Sequence, residues 1–177
     1  CGTCKYCLSG RENYCPEVLC TGWDRDGGYA EYLTVPAAYA LPLDNVQMDA
    51  QEIAPLMCPG IAGYAAFKLA GAQSGDRLGL YGFGPTAHCV LKIALAQGVE
   101  VYVSTRSQKN TDSANREGAH WVADAAKEAM PHDLDAAILF PPAGSLVEPA
   151  LSQLSRGGIL VMAPVSASPI TIEDYSR

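Results

Sequence analysis

Leu78-Gly79-Leu80-Tyr81-Gly82-Phe83-Gly84-Pro85-Thr86-Ala87 is the stretch that decides the fold. Its first four residues read as a short apolar strand. Gly82-Phe83-Gly84 reads as a turn. From Thr86 to Ala96 the apolar content is that of a buried helix, stopped by Gly98. Val99-Glu100-Val101-Tyr102-Val103 then supplies a β-branched strand. Strand, glycine turn, helix and strand make a βαβ unit, which requires a parallel sheet. The turn has the form G-x-G-x-x-A. Each position has a physical reason: Gly82 permits the tight turn, Gly84 lets a pyrophosphate approach the backbone, and Ala87 lets the helix pack closely on the strand. Gly82, Phe83, Gly84, Pro85, Thr86 and Ala87 are therefore the candidate dinucleotide contacts, with the pyrophosphate at the helix N-terminus. A purely structural glycine turn is the alternative.

The alternation continues toward the C-terminus. Lys109 to Glu117 reads as a helix ending at Gly118, and Trp121-Val122-Ala123 as a brief strand. Leu134 to Leu139 reads as a fourth strand, Leu146 to Leu154 as a helix stopped near Gly157-Gly158, and Ile159 to Ala163 as a fifth strand. The predicted class is α/β, a doubly wound parallel sheet of Rossmann type. A dinucleotide with a free ribose 2′-hydroxyl is usually met by an acid about 20 residues beyond the glycines. That place holds Ser104, Thr105 and Arg106 instead. An arginine flanked by hydroxyls suits a 2′-phosphate, so the expected cofactor is NADP, with NAD as the alternative.

Toward the N-terminus, Tyr29 to Val35 reads as a strand closed by Pro36. Asp49 and Glu52 form a capping-box pattern that opens a helix, which Pro55, Pro59 and Gly60 interrupt. A second helix runs from Gly63 to Leu69, ending near Gly71. Four of the seven cysteines crowd into the first fifteen residues as C-x2-C-x2-C-x7-C. Cys1, Cys4, Cys7 and Cys15 have the spacing of a closed tetrahedral zinc site with no position left for substrate. Free cysteines, disulfides or an iron–sulfur cluster are the alternatives. Cys20 and Cys89 read as small buried hydrophobes.

The formal net charge of −7 argues against nucleic acid, which needs a basic footprint. No apolar run reaches the length of a membrane span. The chain opens at Cys1, with no signal-type segment ahead of it, and reads as starting partway into a longer protein. Clustered cysteines without a disulfide framework point to a reducing compartment, the cytoplasm.

These motifs together resemble the zinc-dependent, medium-chain alcohol dehydrogenases. Cys1-Gly2-x-Cys4-x-x-Cys7-x-x-Gly10-x-x-Asn13-x-Cys15 resembles their structural zinc loop, and Gly27-Gly28-Tyr29-Ala30-Glu31-Tyr32 the strand after it. Ala54-Pro55-Leu56-Met57-Cys58-Pro59-Gly60 is similar to the segment that carries a ligand of the catalytic zinc, and Leu80 to Gly84 to the cofactor turn. The resemblance covers essentially the whole chain. It implies that residues 1–64 are part of a GroES-like catalytic domain with a zinc lobe. It implies a Rossmann domain over 65–177, truncated at its C-terminal side. It also makes Cys58 a ligand of a catalytic zinc.

The implied activity is reversible hydride transfer between an alcohol and NAD(P), giving an aldehyde or ketone. The implied setting is a homo-oligomeric parent enzyme that needs no membrane. There are departures. The family's other two catalytic ligands, a Cys and a His, lie ahead of the zinc lobe and are absent. His88, His120 and His132 fall in the cofactor region and do not match the missing one; His88 is expected to pack or cap near the dinucleotide turn. Ala62 stands where many relatives have Thr. Residues 1–177 alone are therefore expected to be inactive. Two rival readings are a zinc-free, quinone-type reductase of the same superfamily and a non-catalytic nucleotide-binding or thiol redox-sensing module.

Overall fold

The structure is a computed structural model that describes residues 1–174. It divides into two compact units, Cys1–Gln47 and Met48–Arg177. The division falls ahead of the boundary at residue 64 drawn on the sequence, because the helical segment of residues 50–70 packs with the elements that follow it.

The second unit is built on five parallel strands: β1 (Arg77–Tyr81), β2 (Glu100–Ser104), β3 (Trp121–Ala123), β4 (Leu134–Leu139) and β5 (Leu154–Met162). Their order is β3-β2-β1-β4-β5. β1 lies at the centre, with Leu80 in register with Val103 of β2 on one side and Ile138 of β4 on the other. Buried on both faces, these strands read as continuous apolar runs and not as alternating ones.

Each face of the sheet carries a core. On one face Leu78, Leu80, Val101, Val103 and Ile138 cluster with the buried sides of α2 (Ile61–Ala70), α3 (Pro85–Ala96) and α4 (Gln108–Arg116). On the other, Tyr81, Tyr102, Leu134 and Leu139 cluster with Val147 and Ala150 of α5 (Val147–Ser152). The predicted α/β parallel architecture is therefore present, and the strand order reverses beside β1. α5 is shorter than the sequence suggests. Leu154 already pairs with Leu134, and the Ser155 hydroxyl donates to the Leu134 carbonyl at 3.0 Å. The Gly157-Gly158 pair thus lies within β5, beside an irregularity in its register, and does not stop a helix.

The expected helix opens at Asp49, whose N–H donates to the Glu52 carboxylate at 3.1 Å. α1 (Ala50–Pro55) then passes into α2 without a break, through a π-helical segment at Leu56–Gly60. Pro55 and Pro59 remove two N–H donors. The ladder adjusts to wider spacing and the helix goes on. The result is a 21-residue helix, Ala50–Ala70, that is long and apolar enough by length and composition to cross a membrane, which corrects the expectation of no such run. One side of it buries Gly63, Ala66, Phe67 and Ala70, while Leu56, Met57, Ile61, Tyr64 and Leu69 are exposed.

The first unit holds only short 3-10 turns and one bridge, Thr21 to Arg25. The strand expected at Tyr29–Val35 does not form. A strand needs a hydrogen-bonded partner; none lies beside it here, and Tyr29 and Tyr32 are exposed. Cys20 is exposed and Cys89 half-buried, so neither is the buried small hydrophobe expected.

Leu80 is fully buried at the centre of the sheet. Leu80→Ala is expected to lower unfolding stability by about 2–5 kcal/mol through lost burial and a residual cavity. Urea denaturation followed by circular dichroism measures this.

Candidate dinucleotide cleft and four-thiol centre

β1 ends at Tyr81, and the chain must turn at once to enter α3. Gly82 makes that turn at φ 85°, a left-handed conformation that costs a residue with a Cβ roughly 1–2 kcal/mol. A Cβ at Gly82 would also stand 2.8 Å from Pro141 Cγ. Gly84 differs: its φ is −99°, and a Cβ there would meet nothing within 4 Å. The space that a side chain would take at Gly84 is open. Pro85 takes the first position of α3, where its missing N–H costs nothing. The first bond of the helical ladder runs from the His88 N–H to the Gly84 carbonyl at 3.1 Å. The N–H groups of Thr86 and Ala87 precede it and have no helical partner.

A cleft of about 590 Å³ opens over the C-terminal ends of the strands. Gly82, Phe83 and Gly84 line it, as do Ser104, the last residue of β2, and Thr105 and Arg106 just beyond it. The structure thus brings together two groups of residues that the sequence proposed separately. It lies where the strand order reverses, the position at which open parallel sheets take ligands. Pro85, Thr86 and Ala87 form the first turn of α3 and do not line the cleft; Ala87 is fully buried against the sheet.

The three residues at the end of β2 play unequal parts. The Ser104 hydroxyl accepts the Ala125 N–H at 3.1 Å, and the Thr105 hydroxyl accepts the Ser107 N–H at 3.5 Å. The Thr105 N–H donates to the Ala123 carbonyl at 2.9 Å, and its side chain is buried. Both hydroxyls therefore hold loop backbone while keeping a proton to donate. Arg106 is the exposed cation. Sequence reasoning missed Asn110, Asp124, Pro141 and Ser145, which also line the cleft. Asp124 follows β3 and Pro141 follows β4 within two residues, so the ends of the predicted strands were the signal. Asp124 accepts the Ala126 N–H at 3.2 Å and lies 3.7 Å from the Lys127 ammonium.

The first unit gathers four thiols. The sulfurs of Cys1, Cys4, Cys7 and Cys15 lie within 4.8 Å of one another. Cys4 to Cys7 and Cys1 to Cys15 are each 3.5 Å, and Cys1 to Cys7 is 3.9 Å. A zinc–sulfur bond of about 2.3 Å gives a tetrahedron with edges of roughly 3.8 Å, so the set fits that ion. Backbone amides point at the sulfurs, Cys7 N–H to Cys4 Sγ at 3.5 Å and Glu17 N–H to Cys15 Sγ at 3.4 Å. The amide of Cys7 pulls the Cys4 thiol below its ordinary range, toward the thiolate that a metal needs. All seven cysteines are free.

Cys58 sits exposed in the middle of the π-helical segment. The four-thiol cluster is the only group of three or more metal-binding side chains among the described residues, so Cys58 belongs to no such group. The histidines are engaged elsewhere. His88 packs on Phe83, as its place after the turn suggested. His120 Nδ1 accepts the Val101 N–H at 3.1 Å, and His132 meets Tyr102 edge-on.

The chain matches the alcohol dehydrogenase GroES-like domain over residues 1–45. It is 50% identical over 177 residues to the probable alcohol dehydrogenase AdhA of Mycobacterium tuberculosis, covering all of this chain and 51% of that protein. It is 36% identical over 183 residues to an alcohol dehydrogenase of Geobacillus stearothermophilus, covering 98% of this chain and 54% of that one. The crystal structure of CAD from Helicobacter pylori complexed with NADP(H) superposes with a TM-score of 0.82 at 27% identity, over 96% of this chain and 50% of that one. The chain spans about half the length of the curated relatives it matches.

Tyr81 borders the cleft at the end of β1, and burial pushes its phenol up from 10.0 to about 12. The folded protein therefore holds a proton that the unfolded chain releases. The stability tied to that proton is whole below pH 10.0 and is lost as pH rises through about 12. Urea midpoints across this window are expected to fall less steeply in Tyr81→Phe than in the wild type.

Proposed function

From its membership of the alcohol dehydrogenase family, we propose that the whole protein is an oxidoreductase that transfers a hydride between an alcohol and a nicotinamide dinucleotide, giving an aldehyde or ketone. The observation that carries the reading is the cleft at the strand reversal, where a G-x-G-x-x-A turn faces the end of β2. The cofactor pyrophosphate lies over Gly84, at the positive end of α3. The adenosine end lies toward Ser104, Thr105 and Arg106. Arg106, with two hydroxyls that keep a proton to donate, suits a 2′-phosphate, which favours NADP over NAD.

Cys1, Cys4, Cys7 and Cys15 hold a structural zinc, and Cys58 supplies one thiolate to a catalytic zinc. That second ion, when bound, supplies Lewis acidity toward the alcohol oxygen. The π-helical turn presents Cys58 outward and keeps its helix unbroken on either side, so the thiol is displayed from a rigid element. The substrate is a small alcohol or aldehyde. The protein is a homo-oligomer. Its free thiols fit a reducing compartment such as the cytoplasm.

Metal analysis with NADPH and NADH titration of the whole protein tests the reading. Two zinc ions per chain are expected, falling to one in Cys58→Ser, together with tighter binding of NADPH than of NADH. Absence of zinc would sink the metal assignment and leave the four thiols as a redox element.

Gly84→Ala separates binding from folding. Its φ is negative and its surroundings are open, so stability should change by less than about 1 kcal/mol. The added methyl stands in the path of the pyrophosphate, and NADPH affinity should fall by about tenfold or more. Equal affinity in the two proteins would count against this placement of the cofactor.

A further inference from the structure

The dinucleotide turn has an anchoring problem. In Gly82-Phe83-Gly84 only Phe83 carries a side chain, so only Phe83 can hold the turn against the rest of the fold. Its ring is 2% exposed and belongs to the core on the α3 face of the sheet. On its remaining side it packs against the His88 imidazole, with ring centroids 4.1 Å apart and planes at 35°. His88 does not itself line the cleft.

His88 is in turn held by α4. Its Nδ1 lies 2.9 Å from Glu117 Oε1. The same oxygen accepts the Ser113 hydroxyl at 2.8 Å, and Glu117 Oε2 is buried with no hydrogen-bond partner. Glu117 stands at the C-terminal cap of α4, where the helix dipole disfavours negative charge. A carboxylate that is mostly buried, half-satisfied and placed at the wrong end of a helix costs stability. Contact with His88 is what offsets that cost.

We propose that Ser113, Glu117 and His88 form a clamp that fixes Phe83, and through it the backbone of the dinucleotide turn, in the shape that receives the pyrophosphate. His88 and Glu117 are positioning residues, and this role rests on the dinucleotide reading of the cleft. Phe83 joins two residues of high conformational freedom. Loss of its lateral support lets the turn sample shapes in which the N–H groups no longer converge. Binding energy is then spent on ordering the turn.

Two ligands titrated against the whole protein distinguish this from general loosening: NADPH, which has the pyrophosphate, and adenosine 2′,5′-bisphosphate, which fills only the adenosine end. His88→Ala and Glu117→Leu are each expected to raise the NADPH dissociation constant about three- to tenfold. Binding of the bisphosphate should stay within about twofold of wild type. Glu117→Gln keeps an acceptor for the imidazole N–H and should recover most of the NADPH affinity. The clamp is overturned if NADPH binds both disruptive variants as it binds wild type, or if both ligands weaken alike as the melting temperature falls. Wild-type protein that binds neither ligand would overturn the dinucleotide reading, and the clamp with it.

Discussion

The second unit depends on a central strand, β1, that is buried on both faces and cannot be left unpaired. Leu78 and Leu80 are wholly removed from water, and their neighbours across the ladder are equally buried. With β2 on one side and β4 on the other, the chain leaving β1 crosses one face of the sheet to reach β2, and the later crossover to β5 runs over the other face. Neither of these two crossovers passes over the strand ends at the reversal. The cleft is therefore a consequence of how β1 is paired, and residues that follow β1, β2, β3 and β4 reach it whatever their chemistry. Gly82 at φ 85° beside Pro141 shows the limit: the turn out of β1 has room for a backbone and for no more.

The first unit rests on a different kind of force. Among residues 1–47 only Cys15 is buried, and no strand pairs beyond a single bridge. A segment of this size with no apolar core has little to set against chain entropy. What it does have is four sulfurs drawn to within 4.8 Å of one another, with backbone amides directed at two of them. Metal binding can supply folding free energy to such a lobe directly. The two units thus use opposite means, burial in one and coordination in the other.

This difference also explains how far the sequence could be read. The sheet and most helices of the second unit were legible because buried parallel strands write themselves as short apolar runs, and because Gly98 and Gly118 close their helices. The four cysteines were legible because ligand spacing is local. The stretch Tyr29–Val35 misled, because alternation indicates a strand only where a partner lies beside it. The prolines at 55 and 59 suggested a break, yet the helix absorbed them in a π-helical segment. Asp124 and Pro141 escaped notice because they belong to no motif, and a place just after a strand is their one local signal. Their place in the cleft comes from strand ends that converge only in three dimensions.

Polar side chains around the cleft are divided between facing a ligand and holding the loops that face it. Ser104 and Thr105 sit where a motif-based reading places ribose contacts, yet each accepts a backbone N–H from a neighbouring loop. Removing either hydroxyl would therefore disturb the loop before it disturbed any ligand, and a loss of affinity would not by itself mark a direct contact. Arg106 carries no such internal duty among the hydrogen bonds of the cleft. His88 and Glu117 are the opposite case: they lie outside the cleft lining but reach its glycine turn through one aromatic ring. Distance from a ligand is then a poor measure of influence on it. A turn with two glycines has little stiffness of its own, and it takes its shape from whatever grips the residue between them.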